Sequence, residues 1–312
     1  MATANKPAII LPSQKARGVN PACFLLFCMA FCMVCGCFRP AIAETIASQL
    51  PDGEPIRVRA TPLKAHQDLR LHPSRRIKVD AAFTLRSSDP DFGGLSGMWL
   101  APNGRRMIAV SDQGHLFNAN LVHDAQGVLT GIDDRWSRMD IPRRPDDPHD
   151  IRAFDAEALT ADGAGGLVIA YEGHHRLRRL VLDDLHRIPG RLPLPDGLGG
   201  PSNSGMETLA ALEGGRLLAI AERVGAWGGV GLSAWLVDDV RAHYLVYVPE
   251  PNFVPTGGDR LDDRLFVLER QFSMLGGFRN RIATVSTADI KPDAHLEGET
   301  LAIFRWGDFG QN

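Results

Sequence analysis

The chain has 312 residues, 44% of them apolar and 23% charged, and its formal net charge is −3 at pH 7. This is the composition of a globular protein, and the length is sufficient for one large all-β domain. The acidic balance and the lack of a basic stripe argue against a nucleic-acid-binding protein.

Residues 1–43 differ in composition from the rest of the chain. They contain no acidic residue, and an apolar run occupies residues 21–38. The run leads to Ala41-Ile42-Ala43, a small-x-small pattern. The bases of this segment are Lys6, Lys15, Arg17 and Arg39. This order predicts a secretory signal peptide that ends at residue 43, and hence a periplasmic or secreted protein.

Two alternatives for this leader stay open. The apolar run is long enough for an uncleaved membrane anchor, and Val34-Cys35-Gly36-Cys37 has a faint similarity to a lipoprotein cleavage site. All five cysteines lie between Cys23 and Cys37. Cleavage after residue 43 would therefore leave no disulfide and no thiol nucleophile. It would also change the formal charge from −3 to −7, because four bases and no acids are removed.

The next segment, residues 44–76, is polar and interrupted by prolines, and is interpreted as a lead-in with one edge strand at Ile56–Ala60. Residues 77–312 are predicted to form the main domain, with a first strand at Ile77–Arg86. The Pro- and Gly-rich stretches at residues 141–150 and 189–204 are expected to be loops.

A short unit returns along this domain. Its complete copies are Leu95–Asp112, Ala156–Glu172 and Met206–Glu222, and Arg264–Glu269 repeats only the second half. Each complete copy has a polar residue near its start, then an apolar run, a Gly-containing turn and an apolar strand that ends on an acid. The terminal acids are 60, 50 and 47 residues apart. Units of strands and tight turns at this period predict an all-β, β-propeller-like fold with about five or six blades.

If the repeats are equivalent, their acids lie on a common rim of the propeller. Six carboxylates are then candidates for one site: Asp112, Glu157, Glu172, Glu207, Glu222 and Glu269. Converging carboxylates repel one another unless they are protonated or bind a cation. Because hard oxygen ligands favour Ca²⁺ or Mg²⁺, these residues are candidate metal ligands. The alternative is that strand-end acids are solvated or paired with nearby arginines.

Three basic residues follow these acids and are candidates for substrate binding. Arg223 follows Glu222, Arg270 follows Glu269, and His174 comes two residues after Glu172. Arginine binds phosphate through a bidentate fork, so such a rim could hold both a metal ion and an anionic ester. The alternative is local ion pairing. Arg279 and Arg281 are interpreted as structural.

A serine-hydrolase site is not supported. The stretch Gly94-Leu95-Ser96-Gly97-Met98 is close to G-x-S-x-G, but Met98 occupies the last glycine position. The nucleophile elbow also lies between a strand and a helix, and no long amphipathic helix is predicted here. Ser96 is therefore interpreted as a structural repeat residue.

The repeats resemble the bacterial phytase-like domain, the family labelled as having esterase-like activity of phytase. The resemblance is carried by GGLSGMWL, DAEAL and NSGMETLA, and by the strand ends AVSDQG, AYEG, AIAER and VLERQF, over about Ile77–Phe304. It implies an exported β-propeller-like protein that hydrolyses phosphoric or carboxylic esters, and true β-propeller phytases use calcium ions. Family members end with another acidic repeat that residues 305–312 do not show, so an incomplete last blade is one expectation.

Two hypotheses follow. The first is an exported hydrolase of a small anionic ester, with Ca²⁺ or Mg²⁺ held by rim carboxylates and no organic cofactor. The second is a non-enzymatic periplasmic propeller that binds a small molecule or a protein partner. Convergence of at least three of the six acids within metal-ligand reach favours the first. Dispersed acids beside an apolar groove favour the second.

Overall fold

The computed structural model describes residues 24–28, 46, 50, 52–63, 81–143, 154–182, 184, 192–193, 205–226, 229–274 and 276–305. These residues form an all-β, propeller-like fold of four antiparallel sheets, with one parallel pair in the third. The predicted fold class is confirmed. The expected number of five or six blades stays a prediction.

The first sheet contains eight strands. In chain order they are β1 (Phe24–Cys28), β2 (Glu54–Pro62), β3 (Ala81–Ser87), β4 (Leu95–Leu100), β5 (Arg106–Ser111), β6 (His115–His123), β7 (Leu129–Ile132) and β8 (Arg135–Asp140). Their spatial order is β1-β3-β2-β8-β6-β5-β4, and β7 pairs with β6. The predicted lead-in strand exists as β2, but it lies between β3 and β8 and is not an edge strand.

The second and third sheets repeat the same up-and-down pattern. The second contains β9 (Ala156–Ala161), β10 (Leu167–Tyr171) and β11 (Arg176–Leu180). The third contains β12 (Met206–Ala211), β13 (Leu217–Gly225), β14 (Leu232–Val237) and β15 (Ala242–Val248) in that order. A 3-10 turn at Glu213–Gly215 joins β12 to β13.

The fourth sheet contains the end of the described chain. Its first three strands are β16 (Val254–Leu261), β17 (Arg264–Ser273) and β18 (Gly277–Ser286). A 3-10 turn at Thr287–Asp289 follows, then β19 (His295–Glu297), which pairs with β15 of the third sheet. The last strand, β20 (Glu299–Arg305), pairs with β18. The final apolar run of the sequence thus supplies a fourth strand to this sheet.

The sheets pack face to face because their central strands are apolar on both sides. All residues of Leu167–Tyr171 are buried, as expected for a continuous apolar run with a layer on each face. One core contains Ile108 and Ile169, from the first and second sheets, and the next contains Val168 and Trp235. A third core contains Ile220 and Val267, from the third and fourth sheets. The four sheets are therefore stacked in chain order.

Leu63, just after β2, brings the first and last sheets together. It packs against the core that contains Phe83 and Trp136 and also against Ile282 and Phe304 of the fourth sheet. Contact between the first and last sheets is what a closed arrangement of blades requires.

Strand β1 lies inside the segment expected to be a signal peptide. Its backbone pairs with β3 over Phe24–Cys28 and Ala81–Leu85. Cleavage after residue 43 would remove β1 and leave β3 with one free edge. The signal peptide and the domain boundaries at 43 and 76 stay predictions, since most of those residues lie outside the described part of the chain. Among the described residues, no helix has the length and apolar character needed to cross a membrane.

Candidate functional site

Each sheet contains a β-bulge at an equivalent position, in the pairs β4–β5, β9–β10, β12–β13 and β16–β17. In each pair the register shifts by one residue at a single buried residue of the earlier strand. These residues are Ser96, Glu157, Glu207 and Thr256. A bulge leaves one residue unpaired and redirects its side chain. The repeat therefore places one side chain of every sheet at an equivalent point.

The acid that ends the second strand is fixed opposite this bulge. The backbone N–H of Asp112, Glu172 and Glu222 donates to the carbonyl oxygen of the residue two before the bulge, at 2.9, 2.7 and 3.0 Å. The acceptors are the carbonyl oxygens of Gly94, Asp155 and Gly205. The same hydrogen bond recurs in three sheets. These three acids therefore occupy equivalent positions in their sheets, as the repeat predicts.

The fourth sheet differs by one residue from the predicted alignment. Val254, two residues before the Thr256 bulge, is paired with Arg270. Arg270, not Glu269, therefore occupies the position of the terminal acids. A shift of one residue turns a strand side chain to the opposite face. The alignment that placed Glu269 on the acidic rim is thus wrong.

Glu269 is held in a buried ion pair. Its carboxylate is fully buried and accepts hydrogen bonds from Nη1 of Arg281 at 2.8 and 2.7 Å and from the Tyr247 hydroxyl at 2.6 Å. Burial and the neighbouring Glu269 charge raise the pKa of Tyr247. The structural interpretation of Arg281 agrees with this contact.

Three of the predicted acids converge. Glu157, Glu172 and Glu207 each offer one carboxylate oxygen, and these oxygens lie within 4.8 Å of one another. The residues are 3%, 6% and 3% exposed, so the group is withdrawn from bulk solvent. The Oε2 atom of Glu157 is buried and has no hydrogen-bond partner among the described residues. We refer to these three residues as the glutamate triad.

The electrostatics of the triad are unfavourable without a cation. Burial, followed by the charges of Glu207, Glu172 and Asp155, raises the pKa of Glu157 well above its usual range. Burial and the Glu222 charge raise the pKa of Glu207 in the same direction, while Arg270 opposes the shift. Carboxyl groups with raised pKa values are the expected result of placing like charges together in a poorly solvated site.

The triad fits a hard divalent cation. Calcium and magnesium take carboxylate oxygens as ligands, and a bound cation offsets both the burial and the mutual repulsion that raise these pKa values. The buried Oε2 of Glu157 supplies a ligand atom that the described protein groups leave unused. Gly205 packs against Glu172, since a Cβ at Gly205 would lie 3.2 Å from the Glu172 Cβ. The backbone at Gly205, just before the third sheet, therefore packs against the triad residue Glu172.

Two arginines stand beside the triad. Nη2 of Arg270 donates to Oε1 of Glu222 at 3.0 Å, and Nη2 of Arg223 lies 3.2 Å from the same oxygen. The Glu222 side chain is 5% exposed, whereas that of Arg223 is 58% exposed. Glu222 therefore holds the guanidinium groups of both arginines beside the triad. Arg223 remains accessible to solvent.

The other predicted site residues do not belong to the triad. The Asp112 carboxylate packs against Gly94, where a Cβ would lie 1.8 Å from Oδ1. His174 lies in the turn after β10, where its N–H donates to the carbonyl oxygen of Glu172 at 2.6 Å. The Ser96 hydroxyl donates to the carbonyl oxygen of Gly94 at 3.0 Å, in agreement with a structural role.

Sequence analysis missed β16 and its bulge residue Thr256. The strand contains Pro255, Gly257 and Gly258, residue types that usually argue against a strand interior. The spacing within the third complete copy could have revealed this strand. In that copy the bulge residue Glu207 precedes the terminal acid Glu222 by 15 residues. Thr256 and Arg270 are separated by nearly the same distance in sequence. Counting backwards from Arg270 would have identified the strand.

Comparisons with known proteins identify a family for this chain. No curated protein matches the chain. A solved structure of puromycin hydrolase is 13% identical with a TM-score of 0.34, and the match covers 70% of this chain but 30% of that one. Extracellular domains 1–2 of Drosophila Semaphorin 1b are 14% identical with a TM-score of 0.33, covering 65% of this chain and 42% of that one.

The family model described as "Phytase-like: Esterase-like activity of phytase" matches residues 90–306. The matched region contains all four bulges, the glutamate triad and both arginines. It also covers well over half of the chain. The chain therefore belongs to the phytase-like family, whose description is an esterase-like activity of phytase.

Proposed function

We propose that the protein is an exported hydrolase of phosphate or other esters, assisted by a divalent cation at Glu157, Glu172 and Glu207. The observation that supports this most strongly is the convergence of three buried carboxylates around an unpartnered oxygen. The family description points to the same reaction class. The proposal that the protein is exported rests on the predicted signal peptide.

The residues divide into cation-binding and anion-binding groups. Glu157, Glu172 and Glu207 would hold Ca²⁺ or Mg²⁺, which supplies Lewis acidity and lowers the pKa of a bound water. Arg270 and Arg223 both contact Glu222, and their positive charges also act on Glu207 of the triad. They are placed to receive the negative charge of a phosphate or of a developing oxyanion. His174 remains a candidate substrate contact.

The proposed reaction is a simple hydrolysis. The ester bond to the leaving alcohol breaks, the hydroxyl of water joins the phosphorus or acyl carbon, and a proton passes to the leaving oxygen. Arg270 is held by Glu222 before substrate binds, so its guanidinium needs little reorganisation. Low solvent exposure at the triad strengthens each electrostatic contact.

A panel of phosphate and carboxylic esters tests this function. The protein from Glu44 to Asn312 should hydrolyse at least one member with added calcium or magnesium, and a chelator should remove the activity. Glu157→Gln and Glu207→Gln should lower kcat at least about hundredfold, the loss typical for removal of one preorganised catalytic group. Glu213→Gln, an exposed glutamate in a turn, is the matched control. Absence of turnover across the panel would contradict the proposal.

The alternative is a propeller that binds a ligand without turning it over. An open groove next to Glu222 is the observation that favours it, because non-catalytic binding also needs a concave surface. A protein that binds esters or their products tightly but hydrolyses none of them would support this alternative.

A further inference from the structure

The groove beside the triad has a composition of its own. It has a volume of about 350 Å³ and opens to solvent. Its charged lining residues are Glu222, Arg223 and Glu250. The apolar lining side chains are Leu232, Val248, Pro249, Pro251, Phe253 and Val254. A volume at the lower end of the range for ligand sites suits a group the size of one or two rings.

The groove borders the candidate site at Glu222 and Arg223. Glu222 lines it, and the same carboxylate receives Arg270 and Arg223 next to the triad. The charge of Glu222 also acts on Glu207, since it raises the pKa of that triad residue. A molecule that reached the triad from this side would therefore lie along the apolar wall.

The walls of the groove are formed before a ligand binds. Residues Glu250–Phe253 form a turn in which the N–H of Phe253 donates to the carbonyl oxygen of Glu250 at 2.9 Å. Pro251 lies inside this turn, and Asn252 has a positive φ of 69°, a conformation that asparagine tolerates. Gly231 also lines the groove, with φ 87°, and a Cβ there would lie 2.7 Å from the carbonyl oxygen of Tyr247. A rigid groove loses little entropy when a ligand binds.

We propose that this groove binds the apolar part of the substrate, an aryl or branched alkyl group, while the ester group lies at the triad. The inference rests on the proposed function and adds the substrate class to it. Polyphosphorylated rings fit poorly, since Glu222 and Glu250 line the groove together with Arg223. An ester with one charged end and one apolar end matches both parts of the site.

A second apolar feature lies beyond Arg270. Phe272 comes two residues later in β17 and so on the same face of that strand, and it is 62% exposed. Its ring packs against Phe278 with centroids 4.9 Å apart, and Met274 at the hairpin tip is 95% exposed. The fourth sheet therefore adds an exposed apolar surface on the Arg270 side of the site.

The test compares two non-hydrolysable probes, naphthylmethylphosphonate and methylphosphonate, by calorimetry on the calcium-loaded protein. We expect the naphthyl probe to bind at least about tenfold more tightly, or ~1.4 kcal/mol. Val248→Trp fills the groove and should bring the ratio of the two affinities close to one. Leu232→Trp fills the groove from another strand. It provides an independent test if Val248→Trp does not fold. Leu261→Trp, at an exposed position at the opposite end of β16 from the groove residue Val254, should keep the wild-type ratio.

The outcomes separate the groove from the hydrolase. Equal affinity for the two probes, or a ratio that survives both filling variants, overturns the groove proposal even if esters are hydrolysed. A ratio that falls in Val248→Trp and Leu232→Trp supports it even if the ester panel shows no turnover. In the second case the proposed hydrolase would fail and the groove would remain a binding site.

Discussion

Arg270 of the fourth sheet donates a hydrogen bond to Glu222 of the third sheet, with 3.0 Å between Nη2 and Oε1. In the other three sheets the position of Arg270 is occupied by an acid. The fold therefore places the guanidinium group of Arg270 at a position that is a carboxylate in the other sheets, beside the glutamate triad. An acidic rim that carries one arginine matches the proposed binding of a metal ion and an anionic ester.

Arg270→Met should impair catalysis more than metal binding. The change removes a cation from the border of the triad, and it also removes the charge that opposes the pKa shift of Glu207. We expect kcat/KM for an anionic ester to fall about hundredfold, as for loss of a preorganised charge contact. Calcium binding should persist, since Arg270 supplies no ligand. Arg264→Met, at the exposed far end of the same strand, is the control.

Glu269→Ala should destabilise the fold without affecting calcium binding. The buried guanidinium of Arg281 would lose its carboxylate partner, and removal of one partner of a buried pair costs about 3–5 kcal/mol. Urea unfolding measures the loss. Arg57→Ala removes an exposed pair with Asp134, which should cost less than about 1 kcal/mol. If Glu269→Ala abolished calcium binding in folded protein, its placement away from the site would be contradicted.

The chelated protein should become less stable as pH rises. The folded-state pKa of Glu157 and that of Glu207 are raised, whereas both groups regain ordinary values on unfolding. Between the two values the folded state binds more protons, so its stability is fully present below the ordinary pKa and is lost as pH rises. We expect Tm in a chelator to fall as pH rises above about 5, past the ordinary pKa of a glutamate.

Two comparisons check this pH dependence. The double variant Glu157→Gln, Glu207→Gln should have a flatter profile, because neither amide ionises. Calcium should restore stability at the upper end of the range, since metal binding replaces the protons. A chelated wild-type protein whose Tm rises over this range would show that the triad is not the dominant titrating group.

The sequence predicts much of the fold because the repeat is local. Each strand pair is joined by a short turn, so the spacing between Glu157 and Glu172 or between Glu207 and Glu222 reports the pairing directly. The convergence of Glu157, Glu172 and Glu207 follows from the same spacing. These three acids were among the predicted metal ligands.

The remaining features depend on partners that the sequence does not reveal. Glu269 ends an apolar run as the other acids do, but only the pairing of Val254 with Arg270 shows that it faces the opposite side. Its true partner, Arg281, lies on the next strand. The groove is assembled from β14, β15 and the turn at 249–253, so no single stretch of sequence carries its pattern.

Calcium binding to the triad is the most direct test of the account. Calorimetry on the protein from Glu44 to Asn312 should show stoichiometric binding and a Tm that rises with calcium and falls with chelator. Glu157→Gln and Glu207→Gln should each abolish binding, whereas Glu213→Gln should bind as the wild type does. Absence of calcium and magnesium binding, with a Tm indifferent to chelator, would contradict the metal-assisted hydrolase and favour the ligand-binding propeller.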